Sequence, residues 1–291
     1  MKLHAKLNLI LIIVFVLSLV PTGLILRGLL RSNARNQVIQ NARIMMETAM
    51  AMRGYTVSQV RPLLADKLEK TFLPQSVPAY SATEIFNALR ENHPDYTYKE
   101  ATLNPTNPRN RAVDWETDIV NEFRRNGEKA EIVGERDTPL GRSLYLSQPL
   151  RIKNESCLAC HNTPAEAPPS MLAVYGENNG FGWKMNETVG AQIVQVPMST
   201  PIALADAVFR KLMLTLVGVF AVILIVLNLL LNFVVVKPIT RLSAMASQVS
   251  HGDLNVDEVK MDGKDEVSTL AGSFNLMRIS LVQALGMLDD D

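Results

Sequence analysis

The 291-residue chain has two cysteines, Cys157 and Cys160, and His161 follows them directly. The spacing C-x-x-C-H is that of c-type haem attachment. Each thiol forms a thioether at the porphyrin edge, and the two intervening residues let the chain span that edge. The adjacent histidine is carried under the ring, where its imidazole reaches the iron. Two other chemistries use a similar pair. A thioredoxin-like redox couple sits at a helix N-terminus after a strand, and SCLACHNTPAEAPPS does not read that way. A structural zinc site needs two more ligands, and the chain has four histidines in all. With both cysteines in one motif, no disulfide scaffold forms and no thiolate is left as a sixth iron ligand.

The sixth position has several candidates. Met45, Met46, Met50 and Met52 crowd one helical segment, and Met52 is the first choice among them. A thioether ligates haem iron readily, yet methionines at helical spacing equally serve as core filler. His93 precedes Pro94, and Met171, Met185 and Met198 flank the motif. A five-coordinate iron open to a gas is the other expectation. Arg109 and Arg111, in NPTNPRNR, are cations that suit haem propionates, and Trp183, in GFGW, suits the macrocycle face; each also reads as an ordinary structural residue. No nucleophile–base pair or paired carboxylates stand out, so the chain does not read as an enzyme.

The elements that position these residues follow from the distribution of charge. Basic and acidic side chains number 29 each, a balance that gives no reason to expect a nucleic-acid partner. Residues 1–31 and 211–236 contain no acid. Leu7–Leu26 is an apolar run of 20 residues, about 30 Å as a helix and enough to cross a bilayer. Its apolar core exceeds about 15 residues and no A-x-A-like site follows, so it reads as an anchor, not a cleaved leader. Leu212–Val236 is a second run, with Asn228 and Asn232 on one helix face. Either they meet a protein partner in the membrane or they lie at the headgroups. Basic residues flank both ends of each run, so the positive-inside rule leaves orientation open.

Between the runs, residues 32–210 have the composition of a globular domain. A helical pattern covers about Ser32–Leu68, with Val38, Ala42, Met45, Ala49 and Met52 at helical spacing. Pro62 breaks or kinks it. NPTNPRN at 104–110 is loop. Ala130–Val133, Ser143–Ser147 and Gly190–Pro197 read as strands. A helix followed by short strands predicts an α+β fold of sensor type, with the sheet order open.

The segment 237–291 is acidic, nine acids against five bases. Ile239, Leu242, Ala246 and Val249 form one heptad seam; Val267, Leu270, Phe274, Met277 and Leu281 form another. Pro238 suits a first helical turn and Asp265 an N-cap. Two such helices are a half-bundle, completed by a parallel homodimer; an amphipathic hairpin on the membrane surface is the plainer reading. The order of span, Pro, heptads, Gly252-Asp253-Leu254, connector, DEV and heptads resembles a HAMP linker over residues 237 to about 288, most specifically in DEVSTLAGSFNLM.

YTYKEATLNPTNPRNRAVDWE, CLACH and YGENNGFGWKMNETVGAQIVQVPM resemble the Tll0287-like haem-binding domain, over most of residues 33–200. That resemblance implies a PAS-like fold with an antiparallel sheet flanked by helices. It also implies covalent haem c, one per chain, with Cys157 and Cys160 as thioether sites and His161 as proximal ligand. The distal ligand does not carry over. Haem c is attached outside the cytoplasm, so the motif puts the middle domain on the periplasmic side of a bacterial inner membrane and both termini in the cytoplasm. The expected organisation is an N-tail and first span (1–31), an extracytoplasmic haem domain (32–210), a second span (211–236) and HAMP (237–291). The expected function is a two-pass sensor that relays a redox or small-ligand signal. Its output partner, such as a histidine kinase or cyclase, would act in trans, since no such region follows HAMP. The alternative is a membrane-anchored cytochrome that passes electrons.

Overall fold

The computed structural model of the protein describes residues 3–68, 70–139, 141–253, 256, 263 and 265–289. In chain order its elements are α1 (Leu3–Tyr55), a π turn (Thr56–Val60), α2 (Arg61–Leu63), α3 (Ala65–Leu68), α4 (Pro78–Asn92), β1 (Thr97–Thr102), α5 (Asp114–Arg125), β2 (Ile132–Thr138), β3 (Gly141–Arg151), α6 (Leu158–His161), α7 (Pro169–Tyr175), β4 (Thr188–Pro197), α8 (Ser199–Leu231), a second π turn (Asn232–Val236), α9 (Lys237–Ser250) and α10 (Glu266–Asp289). Two compact units result, Leu24–Phe209 and a unit made of Met1–Gly23 with Arg210–Asp291.

In the first unit, four antiparallel strands pair in the order β1-β4-β3-β2. Side chains alternate across a strand, so the sheet has two apolar faces. Tyr98, Leu144, Leu146, Val194 and Val196 pack against Val38, Ala42, Met45, Met46 and Ala49 of α1 and Ala82 and Phe86 of α4. On the opposite face, Ala101, Ala191 and Ile193 pack against Ile119, Val120 and Phe123 of α5. The sheet therefore lies between two helical layers. The spacing-based stripe Val38, Ala42, Met45 and Ala49 is buried, and Met52 is half-buried at its end.

Three expectations are adjusted. The segment Thr97–Thr102 is a strand that the alternation of residue types did not reveal, because Lys99 and Glu100 interrupt its apolar pattern. The strand expected at Ala130–Val133 starts at Ile132 and runs on to Thr138 through a polar, partly exposed edge. Pro62 does not stop the helix outright: the turn before it opens to π geometry and the helix resumes for three residues. The same device precedes Pro238, where Asn232–Val236 is π. Proline has no N–H and crowds the carbonyl four residues back; a widened turn relieves both problems.

Ala5–Leu63 and Ser199–Ser250 are helical stretches long and apolar enough to cross a membrane. Phe15 and Phe220 stack with ring centroids 3.6 Å apart. The Asn8 and Asn228 amides donate to each other at 2.9 Å. Asn228 thus finds a protein partner, because an amide in an apolar layer is costly to leave unpaired. In α9 and α10, Leu242, Met245 and Ala271 are buried, with Val256, Val267 and Phe274 packed against them. The Asp265 carboxylate accepts the Ser268 N–H at 2.7 Å, an N-cap; the Ser268 hydroxyl first and this N–H second hold its pKa below the usual value. Met245 and Ala271 join the seam unanticipated, whereas Leu270 and Met277 are more than half exposed. Leu254, expected at the end of the Gly252-Asp253-Leu254 turn, lies outside the described residues.

Candidate functional site

The cysteine motif is a single helical turn. The Asn154 side chain accepts the Ser156 N–H at 2.8 Å and starts a 3₁₀ turn, Glu155–Cys157, that leads into α6. Cys157, Cys160 and His161 are therefore i, i+3 and i+4, which places two thiols and an imidazole on one helical face. Both cysteines are free thiols and half-buried. Burial pushes the Cys160 thiol up, against the pull of Arg61.

A second segment, about 179–183, clamps His161. The Trp183 N–H donates to the His161 carbonyl at 3.2 Å and the Gly182 N–H to the Asn162 carbonyl at 2.8 Å. The Trp183 indole stacks on the imidazole, centroids 3.9 Å apart and planes 16° off parallel. His161 Nδ1 lies 2.8 Å from the Gly180 carbonyl and 3.3 Å from Thr106 Oγ1. A carbonyl only accepts, so Nδ1 carries the proton and Nε2 keeps its lone pair. Burial lowers the His161 pKa, with the Gly180 bond opposing, which favours the neutral ring.

Gly180 is needed where it stands. Its φ is +88°, and a Cβ there would fall 1.9 Å from Thr106 Oγ1 and 2.8 Å from Thr106 Cα. The loop after β1 braces it: Asn104 Oδ1 accepts the Gly180 N–H at 3.2 Å, and Asn104 Nδ2 donates to the Phe181 carbonyl at 3.3 Å. The 104–110 loop, singled out in the sequence for the Arg109 cation, thus also braces the histidine through Asn104 and Thr106.

Of the residues singled out by type, the structure brings Trp183 onto His161 and ties Arg111 into the same clamp through Asn179 Oδ1, 3.1 Å from its Nη2. Arg109 instead pairs with Glu84 at 2.5 Å and lies over the Tyr80 ring. Met52 packs on the core between α1, α4 and the sheet. Gly180, Asn104 and Thr106 were missed; their signals were the Gly- and Asn-rich run NNGFG and the Asn-Pro pairs. Also missed was a buried charge pair. Arg53 of α1 donates to Glu100 of β1, which is 2% exposed, and Tyr98 donates to the same Oε1 at 2.7 Å. Among the described residues, no three His, Cys, Asp or Glu side chains converge as a metal cluster.

Two family models match the chain. The HAMP domain model covers residues 230–283, and the Tll0287-like model covers residues 31–197. No curated protein matches. A solved structure, that of the cyanobacterial heme-protein Tll0287, is 15% identical, with 55% of this chain and 94% of that one covered and a TM-score of 0.42. The Tll0287-like match takes in more than half of the chain and all of the cysteine–histidine site, so this protein belongs to the Tll0287-like family, with a HAMP domain following its second apolar helix.

Proposed function

We propose that the protein is a membrane-bound c-type haem sensor. Cys157 and Cys160 hold one haem through thioethers and His161 Nε2 is the proximal ligand. The observation that carries this reading is the His161 geometry: Nδ1 is committed to the Gly180 carbonyl, which leaves Nε2 as a donor one residue after the second thiol on the same helical turn. The donor set fits the group, since free thiols at i and i+3 and a neutral imidazole at i+4 are what attachment and ligation use. When bound, haem supplies an iron that changes charge on reduction and takes a small ligand at an open position. The family relationship to a protein described as a heme-protein supports the assignment.

In this reading the sixth position is either open to a small ligand or held by Met52 from α1, Arg109 and Arg111 supply cations toward the propionates, and Trp183 backs the site. The haem domain (32–210), of PAS-like type, is extracytoplasmic, the spans are within 1–31 and 211–236, and HAMP (237–291) is cytoplasmic. A homodimer through HAMP passes the signal to an output protein in trans. The alternative is a membrane-anchored c-type cytochrome that passes electrons to a redox partner.

Expression of the full chain in a host with cytochrome c maturation tests both readings. The wild type is expected to retain haem after denaturation and Cys157→Ala/Cys160→Ala to lose it. His161→Ala keeps the thioethers but changes the ferrous spectrum. Absence of covalent haem in the wild type refutes the proposal. A ferrous spectrum that responds to CO favours sensing, and rapid oxidation by a soluble acceptor protein favours electron transfer.

A further inference from the structure

Arg27, Arg31 and Arg35 stand four apart, so they share one face of α1 just beyond the apolar run that ends at Leu26. Like charges at that spacing destabilise a helix, and helix stability alone gives no reason for the stripe. Two of the three enter a cleft of about 480 Å³, walled by Arg31 and Arg35 of α1, Glu135 of β2, Arg142 of β3, and Met198 and Ile202 around the start of α8. Arg35 Nε donates to one oxygen of Glu135 at 2.7 Å, and Arg142 donates to the other at 2.8 and 3.0 Å. Arg31 pairs through two nitrogens with Asp206 of α8 at 2.9 and 3.0 Å. Three guanidinium groups thus face two carboxylates, and one positive charge is in excess. A guanidinium has five N–H donors; these ion pairs take one from Arg35 and two each from Arg31 and Arg142. The apolar lining is Met198, buried, and Ile202, half-buried. Leu29 and Leu204, on the same stretches of α1 and α8, are more than half exposed.

We propose that this cleft holds the headgroup phosphate of an anionic phospholipid, with Arg31, Arg35 and Arg142 as its donors. A phosphate diester carries one negative charge, which matches the excess, and guanidinium groups bind phosphate oxygens in pairs. Height along α1 points to a lipid as the source. Arg31 follows Leu26 by five residues, about 8 Å of helical rise. The headgroup layer extends roughly 5–8 Å beyond the hydrocarbon core, so the lower end of the cleft stands at phosphate level. The exposed Leu29 and Leu204 suit the acyl boundary below it. A phosphate shared by arginines of α1 and β3 fastens that helix to the sheet, and lipid composition then sets how firmly the two are joined. The inference rests on the apolar helices crossing a membrane and is independent of the haem assignment.

The test is native mass spectrometry of the full chain in detergent with added phosphatidylglycerol, phosphatidylcholine or inorganic phosphate. The wild type is expected to retain phosphatidylglycerol in preference to phosphatidylcholine. Arg35→Gln/Arg142→Gln is expected to weaken that binding about thirtyfold, the effect of two arginines at a lipid surface. Arg125→Gln, on α5 and outside the cleft, is expected to leave it unchanged. A second measurement needs no charge variant. A photoreactive benzoylphenylalanine replacing Ser199, which lines the cleft and is exposed, is expected to cross-link to phosphatidylglycerol in vesicles of that lipid mixed with phosphatidylcholine. Equal retention of the two lipids, an undiminished preference in the double variant, or no cross-link from position 199 overturns the inference. So does displacement of the lipid by inorganic phosphate at equal concentration, which marks a site for the free ion instead. Each of these results leaves the haem assignment standing, and a wild type without covalent haem leaves the lipid site standing.

Discussion

Gly180→Ala is the sharpest perturbation of the site. The left-handed backbone at φ +88° costs an alanine about 1–2 kcal/mol. The new methyl group would sit 1.9 Å from Thr106 Oγ1 and 2.8 Å from Thr106 Cα, and the latter is backbone that cannot rotate away. Overpacking of that kind costs about 1–3 kcal/mol. The expected total is about 2–5 kcal/mol, relieved by a retreat of the 179–183 segment. Retreat carries the Gly180 carbonyl away from His161 Nδ1, so the ring loses the bond that sets its tautomer. Urea unfolding of the full chain in detergent, followed by tryptophan emission, measures the first effect. Histidine ¹⁵N NMR, with His161→Gln to assign the signal, measures the second as a loss of the Nδ1–H form. Thr106→Gly on the same background removes Oγ1 and Cβ but leaves Cα, and so restores part of the loss and not all of it. A Gly180→Ala cost under about 1 kcal/mol with an unchanged tautomer would refute the clamp.

Other expectations follow from single contacts. Cysteines replacing Phe15 and Phe220, whose rings stack, are expected to cross-link in membrane vesicles; Asn228→Leu, which removes the reciprocal amide pair, slows that reaction by about threefold, for roughly 0.6 kcal/mol. Asp265→Ala removes the α10 N-cap and is expected to destabilise that helix by about 1 kcal/mol, read as faster amide exchange in Val267–Thr269. Burial pushes the Tyr98 phenol well above its ordinary pKa of 10.0, with the nearby Glu100 charge acting in the same direction. A raised folded-state pKa means that the contribution is complete below pH 10 and is lost as pH rises through the shifted value. Tyr98→Phe is therefore expected to flatten the alkaline limb of the stability profile and leave its shape near pH 7 unchanged.

Local patterns were legible and distant contacts were not. The i, i+3, i+4 relation of Cys157, Cys160 and His161, the buried stripe of α1, the apolar helices and the Asp265 cap each lie within one short segment, where helical period and residue type decide the outcome. Heptad spacing located the α9 and α10 seam only in part, because one chain buries Met245 and Ala271 but leaves Leu270 and Met277 outward. The strand at Thr97–Thr102 was hidden for a related reason: Glu100 faces the core only because Arg53, 47 residues earlier, is there to neutralise it.

The sequence by itself determined the chemistry available, two thiols and an imidazole in the order that haem attachment uses, and the organisation of apolar helix, domain, apolar helix and HAMP. Tertiary structure alone decided which nitrogen of His161 is free, since that depends on a carbonyl 19 residues away held by a loop 55 residues before the histidine. It likewise decided that α1 meets the sheet through a buried ion pair. A tautomer and an ion pair are set by long-range neighbours in a low-dielectric interior, and no local pattern of residues encodes them.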